Sequence, residues 1–467
     1  MSANDARPQA SPTLPDLNTA TSIGGPSEFE AERRDFEPQS PVHNDYDGQP
    51  LEKIPTSQDT LQFTGNNGEP QHEALSAVQS ERRGSKEVIS FLSNDPEHPN
   101  NWPARKKMLV FIGGIMSVIN STLGSSLPAN AVVFIVEDFG VTDDLQFALP
   151  ISCFLMGYVI GPLLCGPLSE NYGRKPVMLM AFLFFTIFTM ACAVAPNWPA
   201  LLIFRLMSGI FASAPIAIVG GLYADIFADP SARGLAMAYF MVATTLGPVL
   251  APGISGFIGE NVSWRWVFGV GTFFALTTLP FLLVMPESYL PVLLSRKAKK
   301  LREETGNENI IAITDLQKKS WKYVMTVVMT RPFRMLFQEA IVSCVCLYAM
   351  LTYSIFYLYF QSYPLIFFGP SSVYGFSAGL AGLTFLAIFV GSMAGLPVFM
   401  WWDKYLARKQ AEGAQWAKQE EYRRLPLACL GGPLYVVAIF WLGWSARSSV
   451  HWIVPTLSGI PFEWRFC

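Results

Sequence analysis

The chain has 467 residues, of which 51% are hydrophobic and only 15% are charged, and its formal net charge is −3 at pH 7. A typical soluble domain carries about 25% charged residues, so this composition excludes an ordinary soluble protein. The slightly negative charge also excludes a nucleic-acid-binding protein, because such proteins present basic surfaces to phosphate groups.

The charges divide the chain into two unlike parts. Residues 1–100 contain 17 acidic and 7 basic residues, whereas the rest contains 19 acidic and 26 basic residues. The first part is rich in Pro, Ser, Gln and Asn, and its large apolar residues are isolated. Such a segment cannot bury enough apolar surface to offset the entropy lost on ordering. We therefore predict a disordered acidic tail over residues 1–100.

Nine apolar runs follow, each long enough to cross a bilayer as a helix, which takes about 20 mostly apolar residues. A polar break at 287–335, rich in Lys and Arg, separates the first six runs from the last three. A tenth run begins near Trp452 and soon reaches Glu463 and Arg465, which are costly in lipid. The predicted spans are 108–128, 145–168, 176–195, 200–222, 234–258, 266–285, 338–360, 374–399 and 426–445.

These runs predict an all-α polytopic membrane protein. We expect a bundle over 101–286, a basic linker over 287–335 and an incomplete second bundle over 336–467, with about nine full spans and a partial tenth. With the N-terminus in the cytoplasm, the cytoplasmic loops hold 22 basic residues and the opposite loops hold two. Because cytoplasmic loops carry the excess of Lys and Arg, this orientation is predicted.

The sequence gives no indication of an enzyme, a metal site or a cofactor. Its seven cysteines form no Cys-x-x-Cys pair, so neither a zinc site nor a disulfide framework is predicted. The chain also contains no HExxH motif, P-loop, GxSxG elbow or Rossmann fingerprint, which are the common signatures of catalytic and nucleotide sites. We therefore expect a protein that is not an enzyme and that binds no cofactor.

The turn between the second and third spans carries a first motif, GPLSENYGRKP at 166–176. Gly173 permits a tight turn between the two helices. Arg174 can reach a carboxylate, and either Glu170 or Asp225, at the end of the fourth span, can supply one. Such an ion pair can hold one conformation and release it in another. We predict a conformational latch made of Glu170, Gly173, Arg174 and Asp225.

Arg205 is the second feature, because it lies inside the apolar fourth span. An arginine within a span is costly and usually faces a cavity or serves a function. The alternative is that its side chain extends to the nearby outer interface.

The fifth span contains a third motif, GPVLAPGISGF at 247–257. Two prolines and several glycines loosen a helix and allow another backbone to approach closely. A locally kinked packing helix is the alternative interpretation. The residues of this motif are Gly247, Pro248, Pro252, Gly253 and Gly256.

The three motifs resemble signatures of the major facilitator superfamily. The turn is similar to the loop signature G-x-x-x-D-R-x-G-R-[RK], with Glu170 and Asn171 in place of Asp and Arg. Arg205 and its neighbours resemble the fourth-span motif of proton-coupled drug antiporters. The fifth-span motif resembles the antiporter string G-P-x-x-G-P-x-x-G-G, with Ala251 and Ser255 replacing two glycines.

Shorter strings resemble the fungal twelve-span drug:proton antiporters, a branch that includes polyamine and azole exporters. The resemblance covers about residues 93–461. Since the family pattern has twelve spans, we expect the chain to be truncated at its C-terminus. The matching strings are DPEHPNNW at 95–102, WRW at 264–266, PESY at 286–289, RPFRMLF at 331–337 and YGFS at 374–377.

The resemblance implies a major facilitator fold of two six-helix bundles, here with the second incomplete, that rock about a central site. It implies a role for Arg205 in proton coupling, and a fifth span that packs between the halves and distinguishes exporters from importers. The expected function is proton-coupled export of drugs, polyamines or other small amphipathic or cationic compounds. The expected partners are the lipid bilayer, a small-molecule substrate and protons, without nucleic acid, and a monomer is expected.

Several points stay open at this stage. The plasma membrane is the expected location, and the vacuolar membrane is the alternative. An exporter dedicated to one secondary metabolite, a non-transporting sensor and a non-functional truncated product are alternative functions. No proton acceptor is identified, because Glu339 can equally pair with Arg331 or Arg334 at the surface. The polar and aromatic candidates for a substrate cavity are Asn120, Tyr223, Thr244, Tyr353, Tyr357 and Gln361.

Overall fold

The computed structural model describes residues 78–83, 86–91, 95–312, 330–369, 372–419 and 421–464. Within these residues, nine helical segments are long and apolar enough to cross a membrane. The all-helical membrane architecture predicted above is therefore confirmed. The spans are Ala104–Ser126, Leu149–Tyr172, Arg174–Ala193, Trp198–Ile226, Pro230–Asn261, Trp264–Val284, Ala340–Phe367, Ala378–Ala411 and Glu421–Ser445, numbered here from first to ninth.

Two of these spans are interrupted. The fourth consists of Trp198–Ala212 and Ala214–Ile226, and a proline near the start of its second part accounts for the break, since proline cannot donate the helical hydrogen bond. The eighth consists of Ala378–Leu383 and Leu386–Ala411. Shorter helices lie at Val132–Phe139, Leu290–Thr305, Arg331–Gln338, Ile453–Leu457 and Gly459–Glu463, with 3₁₀ turns at Pro99–Asn101, Asp144–Ala148 and Trp416–Lys418.

The first six spans pack closely because glycines replace larger residues where helices cross. A Cβ at Gly157 on the second span would overlap backbone atoms of the fourth span, and a Cβ at Gly209 would overlap those of the second. Small residues at such crossings let two backbones approach and gain dispersion contacts. Around them, Phe154, Phe182 and Phe268 are completely buried. The first bundle is thus closely packed, and this packing holds the side chains on its helices in fixed positions.

The second half is built around aromatic rings. Phe356, Tyr359 and Tyr363 of the seventh span form one apolar cluster with Phe462. The ring centroids of Tyr359 and Phe462 are only 3.6 Å apart. The segment after the ninth span therefore packs inside the protein as two short helices. Glu463, the charge of which would be costly in lipid, is completely buried in the structure. Arg465 lies outside the described residues.

A small sheet joins the segment before the first span to the segment after the sixth. Strands β1 (Val78–Arg83) and β2 (Lys86–Phe91) are antiparallel, and β2 pairs in parallel with β3 (Ile310–Ala312). The first two strands lie within the tail predicted to be disordered, so that prediction fails over 78–83 and 86–91. The reason is that Ile89 is buried against the helix Leu290–Thr305, a partner about 200 residues away that the tail alone does not reveal. Residues 1–77 lie outside the described residues.

Lys297 fastens the chain before the first span to the linker helix Leu290–Thr305. Its Nζ lies 2.6 Å from Oδ2 of Asp95 and 3.1 Å from Oε2 of Glu97. The Asp95 side chain is 1% exposed, so this pair is largely removed from water. The Nε1 of Trp102 donates to the carbonyl of Glu97 over 3.2 Å. The string 95–102 is thus a structured clamp, which we call the N-terminal clamp (Asp95, Glu97, Trp102 and Lys297).

Candidate functional site

The structure brings Arg174 and Asp225 together at one end of the first bundle, which we call the latch side. The Nε of Arg174 lies 2.7 Å from Oδ2 of Asp225, and both side chains are mostly buried. Glu170, the other carboxylate weighed from the sequence, is exposed at the end of the second span. Among the described carboxylates, Asp225 is the one in ion-pair contact with Arg174.

Gly173 makes this turn possible. Its φ of 103° is a backbone conformation that favours glycine, and it ends the second span and starts the third. A Cβ at this position would also come within 2.5 Å of Oε2 of Glu287. Any other residue would therefore meet both backbone strain and a carboxylate.

Glu287 contacts the predicted latch, and the sequence reasoning missed this residue. Its buried carboxylate accepts hydrogen bonds from the backbone N–H groups of Arg174 at 2.9 Å and Lys175 at 3.1 Å. It also accepts from the N–H groups of Ser288 at 3.0 Å and Tyr289 at 2.9 Å. A carboxylate at the first turn of a helix satisfies free N–H groups and complements the helix dipole. The PESY string contained this residue, but nothing in it indicated the third span as its partner.

Tyr289 completes the latch on the linker side. The guanidinium of Arg174 lies over its ring, 5.1 Å from the centroid, as in a cation–π contact. Burial raises the pKa of Tyr289, and the negative charge of Glu170 adds to this, while Arg174 opposes it. The phenol therefore stays neutral at physiological pH. The latch thus links the second, third and fourth spans to the linker.

Arg205 is buried inside the first bundle and does not extend to the interface. Its side chain is 1% exposed, which excludes the alternative weighed from the sequence. The guanidinium donates to the carbonyls of Pro150 at 2.9 Å, Gly124 at 2.8 Å and Ser125 at 2.9 Å. It also lies over the ring of Phe154, 4.5 Å from the centroid. One side chain therefore ties the first, second and fourth spans together.

The fifth-span motif lies between the two halves. The helix continues through Pro248 and Pro252. A Cβ at Gly247 would overlap Thr122 of the first span, and a Cβ at Gly256 would overlap the backbone of Ala378, at the start of the eighth. Gly253 faces Gly382, the Cβ position of which is 2.5 Å from the Gly253 Cα. The motif thus lets one helix touch both halves at backbone distance.

Two further contacts of the fifth span were not predicted. On the side opposite the latch, Nδ2 of Asn130 donates to the carbonyls of Pro252 at 3.2 Å and Ala378 at 3.0 Å. On the latch side, the hydroxyl of Ser231 donates a hydrogen bond to Oδ2 of Asp403 on the eighth span. Asn130 and Ser231 lie outside the recognised motif of the fifth span. The residues that they contact come from distant parts of the chain, which local sequence patterns do not reveal.

The candidate cavity residues fall into two groups. Tyr353 and Tyr357 of the seventh span lie close enough to Tyr158 of the second span to interact with it electrostatically. Both are partly exposed, and Gln361 is exposed on the same helix. Tyr158 is held by a 2.7 Å hydrogen bond with Ser121. Phenols from both halves therefore lie in the same region of the structure.

The remaining candidates serve helix packing in the structure. Nδ2 of Asn120 donates to Thr278 of the sixth span over 2.6 Å, and the hydroxyl of Tyr223 donates to the carbonyl of Phe111 over 2.9 Å. Both side chains are buried in the first bundle. Thr244 is half-buried and donates to a carbonyl of its own helix.

Two other expectations concern ions. Glu339 is exposed at the end of the helix Arg331–Gln338, outside the aromatic core of the second half. Within the described part of the chain, no cluster of three or more His, Cys, Asp or Glu residues has the spacing to hold a metal ion.

Sequence comparison decides the family. The profile of the Major Facilitator Superfamily matches residues 110–464, which is most of the chain. The chain belongs to the major facilitator superfamily. The predicted resemblance and the predicted all-helical major facilitator fold are thereby confirmed.

Curated relatives in this superfamily are fungal exporters. The chain is 33% identical to "Efflux pump FUB11" of Gibberella moniliformis over 378 residues, which are 80% of this chain and 63% of that protein. It is 34% identical to "Multidrug transporter TPO1_2" of Candida glabrata, covering 78% of this chain and 62% of that protein. The chain thus spans less than two thirds of the length of these relatives.

Solved structures agree on the fold. The proton:xylose symporter XylE, bound to 6-bromo-6-deoxy-D-glucose, superposes with a TM-score of 0.53 at 16% identity, covering 78% of this chain and 80% of that one. At this identity, the likeness supports the fold alone.

Proposed function

We propose that this chain is a secondary active exporter, which moves small amphipathic or cationic compounds out of the cytoplasm in exchange for protons. The fifth span carries the proposal, because at Gly247 it lies against Thr122 and Leu123 of the first span and at Gly256 against the backbone of the eighth, with no side chain of its own at either contact. A helix that presents glycines at its contacts lets the two halves rock about it. Such rocking is the motion of alternating access. The similarity to fungal efflux pumps supports export as the direction.

The phenols between the halves support the proposed substrate class. Tyr158, Tyr353 and Tyr357 offer aromatic faces and hydroxyl groups in the same region. Aromatic faces attract cations with about 0.5 to 2 kcal/mol each and also stack on flat rings. Polyamines and cationic drugs share the positive charge that such a site favours.

We further propose that the latch side faces the cytoplasm of a monomer, in the plasma membrane or the vacuolar membrane. Lys299 and Lys300 of the linker helix are 74% exposed on that side, where basic residues are expected. In this arrangement, residues 101–286 and 336–467 are the two halves, and Arg205 takes part in proton coupling.

The proposal is tested with the purified chain in liposomes that have an acidic interior. Ethidium and radiolabelled spermidine serve as probes, and empty liposomes serve as the control. We expect at least one probe to accumulate inside, and the accumulation to vanish when nigericin collapses the pH gradient. Accumulation that persists without the gradient rules out proton coupling. Uptake of neither probe, but of a single compound from a metabolite panel, instead favours a dedicated exporter.

A further inference from the structure

A buried carboxylate lies at the contact between the two halves. Glu463 ends the helix Gly459–Glu463, and its side chain is completely inaccessible to solvent. Near the middle of the fifth span, the hydroxyl of Thr245 donates to Oε1 of Glu463 over 2.6 Å. Thr245 is itself 4% exposed. A glutamate of the second half is thus held against the span that carries the Gly247–Gly256 motif.

The position of Glu463 is fixed by its neighbours in the second half. Phe462 stacks on Tyr359 and also contacts the ring of Tyr435, with centroids 4.8 Å apart. Gly459 lies against Ile388 of the eighth span. Because the carboxylate moves with the second half and the hydroxyl belongs to the fifth span, a rocking motion changes the hydrogen bond between them.

The described groups that interact with Glu463 include the hydroxyl of Thr245 and a phenol. Tyr359 interacts with it electrostatically, and Tyr363 lies within 3.3 Å of the Tyr359 hydroxyl. On the ninth span, the ring of Tyr435 contacts Phe462, the residue before Glu463. A carboxylate removed from water keeps its charge only at a considerable cost. The parts of the fifth and eighth spans that pack here, 240–258 and 386–402, contain no titratable side chain.

We propose that Glu463 is the proton-binding group of this transporter, an inference that rests on the function proposed above. Its carboxylate takes one proton from the outer aqueous side to become a carboxylic acid, and later releases that proton to the cytoplasm. No other bond changes in this step. A hydrogen bond to a charged carboxylate is stronger than one to a neutral acid. Protonation therefore weakens the Thr245–Glu463 contact between the halves, and deprotonation restores it.

Infrared difference spectroscopy tests proton binding without any transport. The full chain in lipid nanodiscs is titrated, and the C=O stretch of a protonated carboxyl group is followed as the pH falls. We expect a band that is absent from Glu463→Gln and present in Glu260→Gln, an exposed glutamate at the far end of the fifth span. Thr245→Val, which keeps the carboxyl group but removes its donor, is expected to shift the pH at which the band appears. A wild-type spectrum that Glu463→Gln reproduces overturns the proposal.

Transport in acid-interior liposomes separates this inference from the proposed function. Ethidium is the probe, and the quantity compared is the factor by which the pH gradient stimulates uptake. We expect this factor to fall about tenfold in Glu463→Gln and to stay at the wild-type value in Glu260→Gln. If the wild-type protein itself shows no stimulation, the proposed function fails. If the wild type and Glu463→Gln are stimulated equally, the function stands and Glu463 is not the proton-binding group.

Discussion

At the scale of single residues, Arg205 shows how a charge is kept inside a bundle. Three peptide carbonyls from two other spans replace the water that a guanidinium would otherwise bind. Arginine suits this arrangement because its donors form a rigid planar fork. Lysine presents a single ammonium group, which cannot reach three carbonyls on two helices at once.

The exchange Arg205→Lys is therefore expected to be destabilising although it conserves charge. At least one buried carbonyl loses a charged donor, and such hydrogen bonds contribute about 1.5 to 3 kcal/mol each. We expect a lower thermal midpoint in tryptophan-fluorescence unfolding and weaker transport. Arg331→Lys, at an exposed position, is the matched control and should change the midpoint little. Equal midpoints for the two variants would contradict this account.

The latch pair can be measured with a double-mutant cycle. Arg174→Gln and Asp225→Asn each leave a partly buried group without its ion-pair partner, so each is expected to lower the thermal midpoint. Because the residues are in direct contact, the double variant should lose less than the sum, with a coupling energy of about 0.5 to 3 kcal/mol. Additive effects would show that the pair does not act as a unit.

Asp138 gives a pH-dependent prediction on the side opposite the latch. Hydrogen bonds from Trp264 and Arg265 lower the pKa of Asp138 below its usual value of 3.8. A lowered pKa in the folded state contributes stability above pH 4, which is lost as the pH falls through the folded-state pKa. We expect Asp138→Asn to melt below the wild type at neutral pH, and the two melting curves to converge in acid. A constant difference at all pH values would disprove this.

The sequence predicted part of the latch and left one choice open. Glu170 and Arg174 are four residues apart, a spacing that pairs side chains on a continuous helix. Gly173 breaks the helix with a φ of 103°, so the two residues do not share a face. Asp225 and Glu287 come from positions 51 and 113 residues away from Arg174. Such partners follow from tertiary packing, which local spacing does not encode.

At the scale of secondary-structure elements, the spans were predictable and the short elements were not. A span is identified by about 20 apolar residues whatever its neighbours, and each predicted run overlaps an observed helix. The strand β2 and the helix Gly459–Glu463 are stable only because distant residues cover them. The sequence of such a short apolar segment does not show whether the segment is buried inside the protein.

The close contacts of the fifth span predict that two glycine-to-alanine substitutions will change the thermal midpoint differently. Glycine to alanine stabilises an open helical position by up to about 1 kcal/mol. Gly443→Ala, with open space around its Cβ position, should therefore leave or raise the thermal midpoint. In Gly256→Ala, the new methyl group overlaps the Ala378 carbonyl, so the midpoint and the transport rate should fall. A Gly256→Ala protein with wild-type transport would show that close approach is unnecessary.

At the scale of the whole molecule, the orientation rests on the distribution of basic residues. In a background whose seven native cysteines are replaced by alanine, Lys300→Cys on the linker helix and Asn261→Cys at the end of the fifth span place single labelling sites on opposite sides of the spans. In intact cells, a membrane-impermeant maleimide should label the Asn261→Cys protein and not the Lys300→Cys protein. Permeabilised cells provide the control for both. The reverse pattern would invert the proposed topology and the direction of transport.

The N-terminal clamp has a mechanical consequence. Lys297 and Asp95 are 202 residues apart in the chain, and all of the first six spans lie between them. Together with the pairing of β2 and β3, the clamp therefore closes the first half into a ring on the latch side. Tension applied to the N-terminal segment passes through the sheet and Lys297 into the linker before it reaches the first span. A pull on this end of the protein therefore acts first on the junction between the halves.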